Sequence, residues 1–220
     1  MQVLPAAFRI ASRARGARAF HPRGKVWHAS WSPGEVPALR GSPLLDGPRP
    51  ALLRVSHAIG LPPTVPDIIG WAVRVVDAHG PGRHQDLLLA SSGTGQLTRH
   101  LLLPAQDLGD TPFSTLLPYQ VAGAGTHVIV ARAEDPATVA YAAAVGPQPH
   151  VLPRFTVQVG GFEGPTLATV IPGALADQQL GESLRYDPWN TGPELEPAGW
   201  PNRIRRPTYA ASQEGRGARC

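Results

Sequence analysis

Three short apolar runs, separated by turns rich in proline and glycine, constrain the fold of this chain most. They are Ala51–Ser56, Trp71–Val76 and Asp86–Ala90. Each run is about one β-strand long, and the first two carry an arginine among the apolar residues. Because such runs can cover one face of a sheet while turns reverse the chain, the pattern predicts an antiparallel sheet or barrel.

The composition agrees with a mainly β protein. The chain has 220 residues, of which 42% are hydrophobic, so one domain with a substantial core is expected. It also has 25 prolines and 24 glycines, which favour many turns and few long helices. We predict an α+β, mainly β domain at residues 21–220, preceded by a basic N-terminal arm at residues 1–20.

Charge, cysteine usage and apolar run length limit the partners and the compartment to be expected for this chain. Residues 1–34 carry lysine and arginine but no acidic residue, yet no basic and aromatic module repeats, so no nucleic-acid partner is expected. The one cysteine, Cys220, allows no intrachain disulfide and fits a reducing compartment. No apolar run reaches the roughly 20 residues of a membrane span. We expect a cytoplasmic, bacterial protein.

Further elements are predicted from the local pattern. Val26–Trp31 is expected to be a strand with Trp27, Ala29 and Trp31 on one face. Apolar alternation also predicts strands, and cap residues and proline predict short helices. The predicted strands are Thr126–Ala133, Val139–Val145 and Arg154–Val159, and the predicted helices are Leu97–Leu103 and Thr111–Leu117.

The order of residues along the chain resembles the haem catalases. That family has Arg-x-Ser, a glycine loop, Asp-x-x-Gly-x-Ala-Val and Asp-Leu, matched here by Arg54 with Ser56, Gly60, Asp67–Val73 and Asp86 with Leu87. A second patch follows the family's Pro-x-Gly, Leu-Asn-Arg and Asn-Tyr order through Pro197, Gly199, Asn202, Arg203 and Tyr209. The resemblance implies a catalase-like antiparallel β-barrel with short flanking helices, and haem as the cofactor.

The run from His21 to Gly24 is similar to the family's Val-His-Ala-Arg-Gly, with proline in place of alanine. The resemblance implies that His21 is the distal base, which takes a proton from peroxide and returns it. It implies that Arg23 and Arg54 pair with haem propionates, and that Ser56 orients the histidine. His28, in Val-Trp-His-Ala, is a rival distal histidine, and the choice between the two stays open.

Two positions of the family pattern are altered or ambiguous. Where catalases have Asn-Asn-Thr-Pro, this chain has Ser91-Ser92-Gly93-Thr94, so the resemblance gives Ser91 the peroxide-binding role with a shorter side chain. Arg205 and Tyr209 match Arg-x-x-x-Tyr, which makes Tyr209 the candidate iron ligand. In another register Tyr209 matches the earlier Asn-Tyr, and the axial tyrosine falls beyond residue 220.

The resemblance implies a haem-binding protein that acts as a weak peroxidase on hydrogen peroxide or organic peroxides. The alternative is a scaffold of the same fold that has lost haem and catalysis. A small hydrophobic ligand and a homodimer are compatible with either. A hydrolase using His79, Asp86 and the Ser91–Gly93 loop lacks a Gly-x-Ser-x-Gly elbow. His79, His84, Asp77 and Asp86 do not have standard metal-ligand spacing and are expected in a hairpin loop.

Overall fold

The computed structural model describes residues 23–57, 65–134 and 152–199. Within these ranges the chain is built mainly from β-strands, joined by turns and three short 3-10 segments. The α-helix labelled α1 is Gln178–Ser183. The strands are β1 (Arg23–Pro33), β2 (Arg49–His57), β3 (Ile69–Val75), β4 (Gln85–Ser91), β5 (Phe113–Ser114), β6 (Tyr119–Val121), β7 (Gly125–His127), β8 (Ile129–Ala133), β9 (Phe155–Val159), β10 (Thr166–Leu175) and β11 (Leu195–Pro197).

Eight of the described strands close into an antiparallel barrel. Their order around the barrel is β1-β10-β9-β8-β5-β4-β3-β2, so β1 closes the ring by pairing with both β10 and β2. A smaller three-stranded sheet has the order β11-β6-β7. The predicted fold class, a mainly β chain with a closed antiparallel barrel, is therefore confirmed. None of the helices in the described ranges has the length and apolar character that crossing a membrane requires.

Alternate residues of the barrel strands fill its interior. On β3, Trp71 is fully buried and its ring lies 5.6 Å from Phe155 and 6.4 Å from Phe113, between centroids. Phe113 and Phe155 also contact each other edge to face, at 6.3 Å. Since side chains alternate along a strand, Trp71 defines an inner face, and its neighbours Gly70 and Ala72 lie on the outer face.

The N-terminal strand contributes two large side chains to the same core. Trp27 and Trp31 are 1% and 0% exposed, which agrees with the prediction that both lie on one face of this strand. Trp31 donates its indole N–H to the carbonyl of Leu44 at 3.0 Å, which ties the Pro43–Leu45 3-10 turn to the barrel. The strand is longer than predicted, because Arg23–Pro33 pairs with β2 and β10 along most of its length.

The strands predicted from the three apolar runs are confirmed as β2, β3 and β4, and the strand over Arg154–Val159 is confirmed as β9. The helix predicted over Thr111–Leu117 is wrong. Phe113 and Ser114 instead pair with β4 and β8, because burying Phe113 between strands outweighs the helix-start signal of Thr111 and proline. Of the helix predicted over Leu97–Leu103, the structure has only a 3-10 turn at Thr98–His100.

The strand predicted over Thr126–Ala133 is divided between two sheets. Its first part is β7, in the three-stranded sheet, and its second part is β8, in the barrel. The predicted N-terminal arm, residues 1–20, and the strand predicted over Val139–Val145 lie outside the described residues. β10 was not predicted, although it joins β1 to β9 and completes the ring.

Candidate functional site

A row of small residues crosses four strands on the outer face of the barrel. Gly24 of β1 pairs with Ser56 of β2, Ser56 with Gly70 of β3, and Gly70 with Ala90 of β4. We call these four residues the small-residue row. None of them has a side chain larger than a hydroxymethyl group, so the row projects little from the sheet. Gly24 is exposed, whereas Ser56 and Gly70 are buried.

Arg54 and Ser56 meet at the Gly24 end of the small-residue row. A methyl group built on Gly24 would lie 2.7 Å from Ser56 Cβ, and 2.8 Å from Nη2 of Arg54. The guanidinium of Arg54 therefore lies over the space that only glycine leaves open at residue 24. The Arg-x-Ser and His-x-Arg-Gly patterns of the sequence are thus brought together, at least through Arg54, Ser56 and Gly24.

An ion pair lies on the same outer face, at Arg74 of β3, two residues along the strand from Ala72, the residue that pairs with Arg54. Arg74 donates from Nε and Nη2 to the two carboxylate oxygens of Asp86, at 2.7 and 2.6 Å. Asp86, whose side chain is fully buried, also accepts the backbone N–H of Asp187 at 2.8 Å. Burial lowers the pKa of Arg74, but the hydrogen bond and charge of Asp86 outweigh that effect, so its pKa is raised. The pair fastens residues 185–190 to β3 and β4.

Tyr186 lies in this fastened segment, contacts Leu52 and Arg74, and was not recognised from the sequence. Its hydroxyl donates to the carbonyl of Leu52 at 3.0 Å, and its ring lies 5.5 Å from the guanidinium carbon of Arg74. Burial and the charge of Asp86 raise the pKa of Tyr186, while Arg74 and Arg54 lower it. These contacts place Tyr186 against Leu52 and Arg74.

Ser91 lies on the opposite face from Arg54 and Ser56. It pairs with Phe113, on the inner face, whereas its neighbour Ala90 belongs to the small-residue row. Its hydroxyl accepts the backbone N–H of Ile69 at 3.1 Å and donates to the carbonyl of Leu103 at 2.6 Å. The structure therefore does not bring Ser91 together with the other predicted site residues, and its hydroxyl holds the backbone at the end of β4.

The remaining predicted site residues are placed only in part. His21 and Tyr209 lie outside the described residues, and of Arg23 only the backbone, at the start of β1, is described. His28, the rival distal histidine, is exposed and pairs with Leu52. It is four residues along β1 from Gly24, about 13 Å at the strand rise. Asp67, expected to shape a turn, accepts the N–H of Ile68 at 2.7 Å.

The sequence did not reveal a buried pair of a histidine and an aspartate. His57, at the end of β2, has Nδ1 3.0 Å from Oδ2 of Asp67, and both side chains are almost fully buried. Asp67 also pairs with Ala105 through its backbone. No spacing rule links a histidine to an aspartate ten residues later across a loop, so only the fold reveals the contact.

The residues of the hydrolase hypothesis do not meet. His79 precedes β4 and Ser91 ends it, so the length of the strand separates them. The carboxylate of Asp86 is committed to Arg74. His84 Nδ1 lies 3.3 Å from Asp77, in the predicted hairpin loop between β3 and β4. Among the described residues, no group of three or more histidine, cysteine or acidic side chains is arranged to hold a metal ion.

Several known structures are similar to this fold. Over 98% of this chain, a bacterial catalase matches with a TM-score of 0.55 and 15% identity. Catalase A from Saccharomyces cerevisiae matches over 95% with a TM-score of 0.62 and 10% identity, and a fungal catalase over 92% with 0.56 and 11%. The chain has a catalase-like fold. It spans 60–63% of the length of these structures.

The sequence comparisons add no relative to this result. No family model matches the chain, and no curated protein matches it. The catalase-like fold therefore rests on architecture, the closed barrel described above, and not on sequence identity. What such a fold does in this chain has to be argued from its own residues.

Proposed function

We propose that this chain binds haem on the outer face of its catalase-like barrel and is a weak haem peroxidase. The observation that carries the proposal is the packing of Arg54 and Ser56 against Gly24 at one end of the small-residue row. These are the residues whose order along the chain resembles the catalases. The small side chains of the row would let a planar ring approach the sheet closely, and the guanidinium of Arg54 suits a carboxylate at the edge of such a ring.

Haem would supply iron chemistry for cleaving the O–O bond of hydrogen peroxide or an organic peroxide. In this proposal Arg54 and Arg23 would hold the propionates, and Tyr209 would be the candidate iron ligand. His21 accepts a peroxide proton on an imidazole nitrogen and returns it to the leaving oxygen. Ser56 orients that imidazole. A cytoplasmic location and a homodimer belong to the same proposal.

Ser91 is not part of the proposed site, because its hydroxyl is engaged by Ile69 and Leu103 on the other face. Ser92, the next residue, follows the end of β4 and is buried, and among the described residues its hydroxyl makes a long bond of 3.3 Å to the carbonyl of Gly93. We therefore move the proposed peroxide contact from Ser91 to Ser92. A hydroxyl on so short a side chain is consistent with weak turnover.

The second candidate function is a binding scaffold of the same fold without haem. The occupied hydroxyl of Ser91 favours it, since the side chain at the position expected to contact peroxide supports the backbone instead. This scaffold would use the same outer face for a small hydrophobic ligand or another subunit. The two candidates differ in one measurable property, the binding of haem.

The test is haem titration of the purified full chain, followed by its absorbance spectrum. We expect a Soret band, and we expect Arg54→Ala to weaken haem binding by roughly 10- to 150-fold, because one charge-assisted contact contributes about 1.5–3 kcal/mol. Arg132→Ala removes an exposed strand arginine on β8 and is the matched control. Absence of a Soret band, or equal effects of the two variants, would overturn the haem proposal and favour the scaffold.

Peroxidase activity is tested on the haem-loaded protein with His21→Ala. We expect peroxide turnover to fall while haem content stays near that of the parent chain, since a distal base moves a proton but does not hold the ring. Parallel loss of haem and turnover would show that His21 is a structural residue or a ligand.

A further inference from the structure

Four leucines that follow β4 are exposed on the surface of the molecule. Leu97 is 82% exposed and Leu101 is 53% exposed, and Leu102 and Leu103 beside them are exposed as well. In the part of the chain that the structure describes, Val65 is the one other large apolar side chain exposed to a similar degree. Single exposed apolar residues are ordinary, whereas four within a short segment form a patch of the kind that marks an interaction site. We call these four residues the leucine patch.

The segment that carries the leucine patch is fixed to the barrel. Arg99 donates from Nη1 to the carbonyl of Gly160 at 2.6 Å, and His100 donates from Nδ1 to the carbonyl of Leu116 at 2.7 Å. Polar side chains of this segment therefore bond to the barrel while its leucines stay in solvent, the reverse of an ordinary surface loop. Because the segment is already held in place, burying it against a partner costs little further conformational entropy.

The leucine patch carries no charge that would oppose contact with an identical patch. No acidic residue occurs from Leu87 to Gln106, and Arg99 is the one lysine or arginine in that stretch. A barrel carbonyl holds the guanidinium of Arg99, and its Nε is buried. A two-fold interface sets each patch against its own copy, so an exposed charge at the centre would repel itself. The patch avoids that penalty.

The surroundings of the leucine patch disfavour an anionic partner. Asp107 and Asp110 lie in the loop between the patch and β5, and Glu163 lies in the β9–β10 turn that holds Arg99. These three carboxylates oppose a single guanidinium, so nucleic acid or a membrane of anionic lipid would be repelled at this surface. A second copy of the chain is favoured instead, because its residues 1–34 include lysine and arginine but no acidic residue.

We propose that the leucine patch is a self-association surface, at which two copies of this chain meet about a two-fold axis. The leucines of one copy pack against those of the other and are removed from water. The carboxylates at the edge of the patch attract the basic residues that each copy carries. This inference names the surface of the homodimer that belongs to the proposed function and rests on that proposal in this respect alone, since the contact does not require haem.

The test is sedimentation velocity of the purified full chain from about 1 to about 300 μM. We expect a monomer–dimer equilibrium with a Kd of about 10 μM, since four leucines on each side make a small interface. Replacing both Leu97→Ser and Leu101→Ser should weaken the dimer at least about 100-fold, because each dimer loses four leucines. Leu97→Lys should also abolish it, by placing like charges at the two-fold axis.

Leu180→Ser is the matched control. Leu180 is a half-exposed leucine of α1, whose Gly181 lies beside Val26 of β1, so it belongs to a different surface from the leucine patch. This control should leave the dimer unchanged. The substitutions at Leu97 and Leu101 alter exposed positions, so each variant should keep the parent's Tm within about 4 °C.

A parent chain that stays monomeric at every concentration overturns the proposal, and so does equal weakening of the dimer by the patch variants and by Leu180→Ser. The same proteins are floated with vesicles of phosphatidylcholine, alone and mixed with phosphatidylglycerol. Binding of a monomeric chain to either vesicle that is lost with the leucines would assign the patch to a lipid surface and overturn the dimer. The haem titration is read separately, and the patch variants should keep the parent's Soret band, so failure of haem binding and failure of dimerisation are distinguishable.

Discussion

Replacing Gly24 with alanine tests the packing of the outer face directly. The added methyl group would lie 2.7 Å from Ser56 Cβ and 2.8 Å from Arg54 Nη2. Ser56 cannot retreat, because its Cβ is attached to backbone that is held in register with Gly24. The guanidinium of Arg54 can move, since it ends a flexible side chain. Gly24→Ala should therefore both displace Arg54 and strain the pairing of β1 with β2.

The expected cost follows from two opposing effects. Overpacking of this kind typically costs about 1–3 kcal/mol. Replacing glycine by alanine recovers about 0.4–1 kcal/mol by reducing the freedom of the unfolded chain. The free energy of unfolding should thus fall by about 1–2 kcal/mol, which corresponds to a lower Tm by about 2–8 °C for a domain of this size.

Urea denaturation of four proteins measures this effect: the parent chain, Gly24→Ala, Arg54→Ala and the double variant. If Arg54 is the group in the way, Gly24→Ala costs less when Arg54 is already absent, with a coupling free energy of at least about 0.5 kcal/mol. Gly181→Ala is the control, since its methyl group would meet only Val26 Cγ2 at 3.9 Å. A Gly24→Ala protein as stable as its parent, or no coupling, would refute the described packing.

Two further predictions concern the segment at 185–190. Asp86→Ala should lower the free energy of unfolding by about 3–5 kcal/mol in urea, because it leaves Arg74 without its buried partner; an effect no larger than that of the exposed Asp110→Ala would contradict this. Tyr186 has a raised pKa, so stability present below about pH 10 should be lost as pH rises through that pKa, by about 1.4 kcal/mol per pH unit. Tyr186→Phe should flatten that slope in urea midpoints, and identical slopes would argue against it.

The barrel strands β2, β3 and β4 were predictable because their apolar residues recur between strong turn signals. The same alternation also carries the orientation of Ser91, which has the parity of Leu89 and not of Ala90. A resemblance read residue by residue gave Ser91 a catalytic role, whereas counting along the strand places it on the inner face. Periodicity was the better guide at that position.

Other features depend on contacts distant in the sequence. β5 is a two-residue strand, and its sequence, after Thr111 and proline, is typical of a helix start; only pairing with β4 and β8 makes it a strand. Tyr186 meets Leu52 and Arg74 across more than a hundred residues. No local pattern predicts such a contact, because it forms only when distant parts of the chain come together in the folded structure.

Trp71, Phe113 and Phe155 pack against one another inside the barrel and are fully buried. Cohesion of the barrel therefore depends on its interior, and the proposed recognition of haem depends on its exterior. Along β2 and β3 the two tasks fall to alternating positions of the same segment. Evolution, or an engineer, can thus rewrite what the exterior recognises, by changing every second residue, without disturbing what holds the strands together.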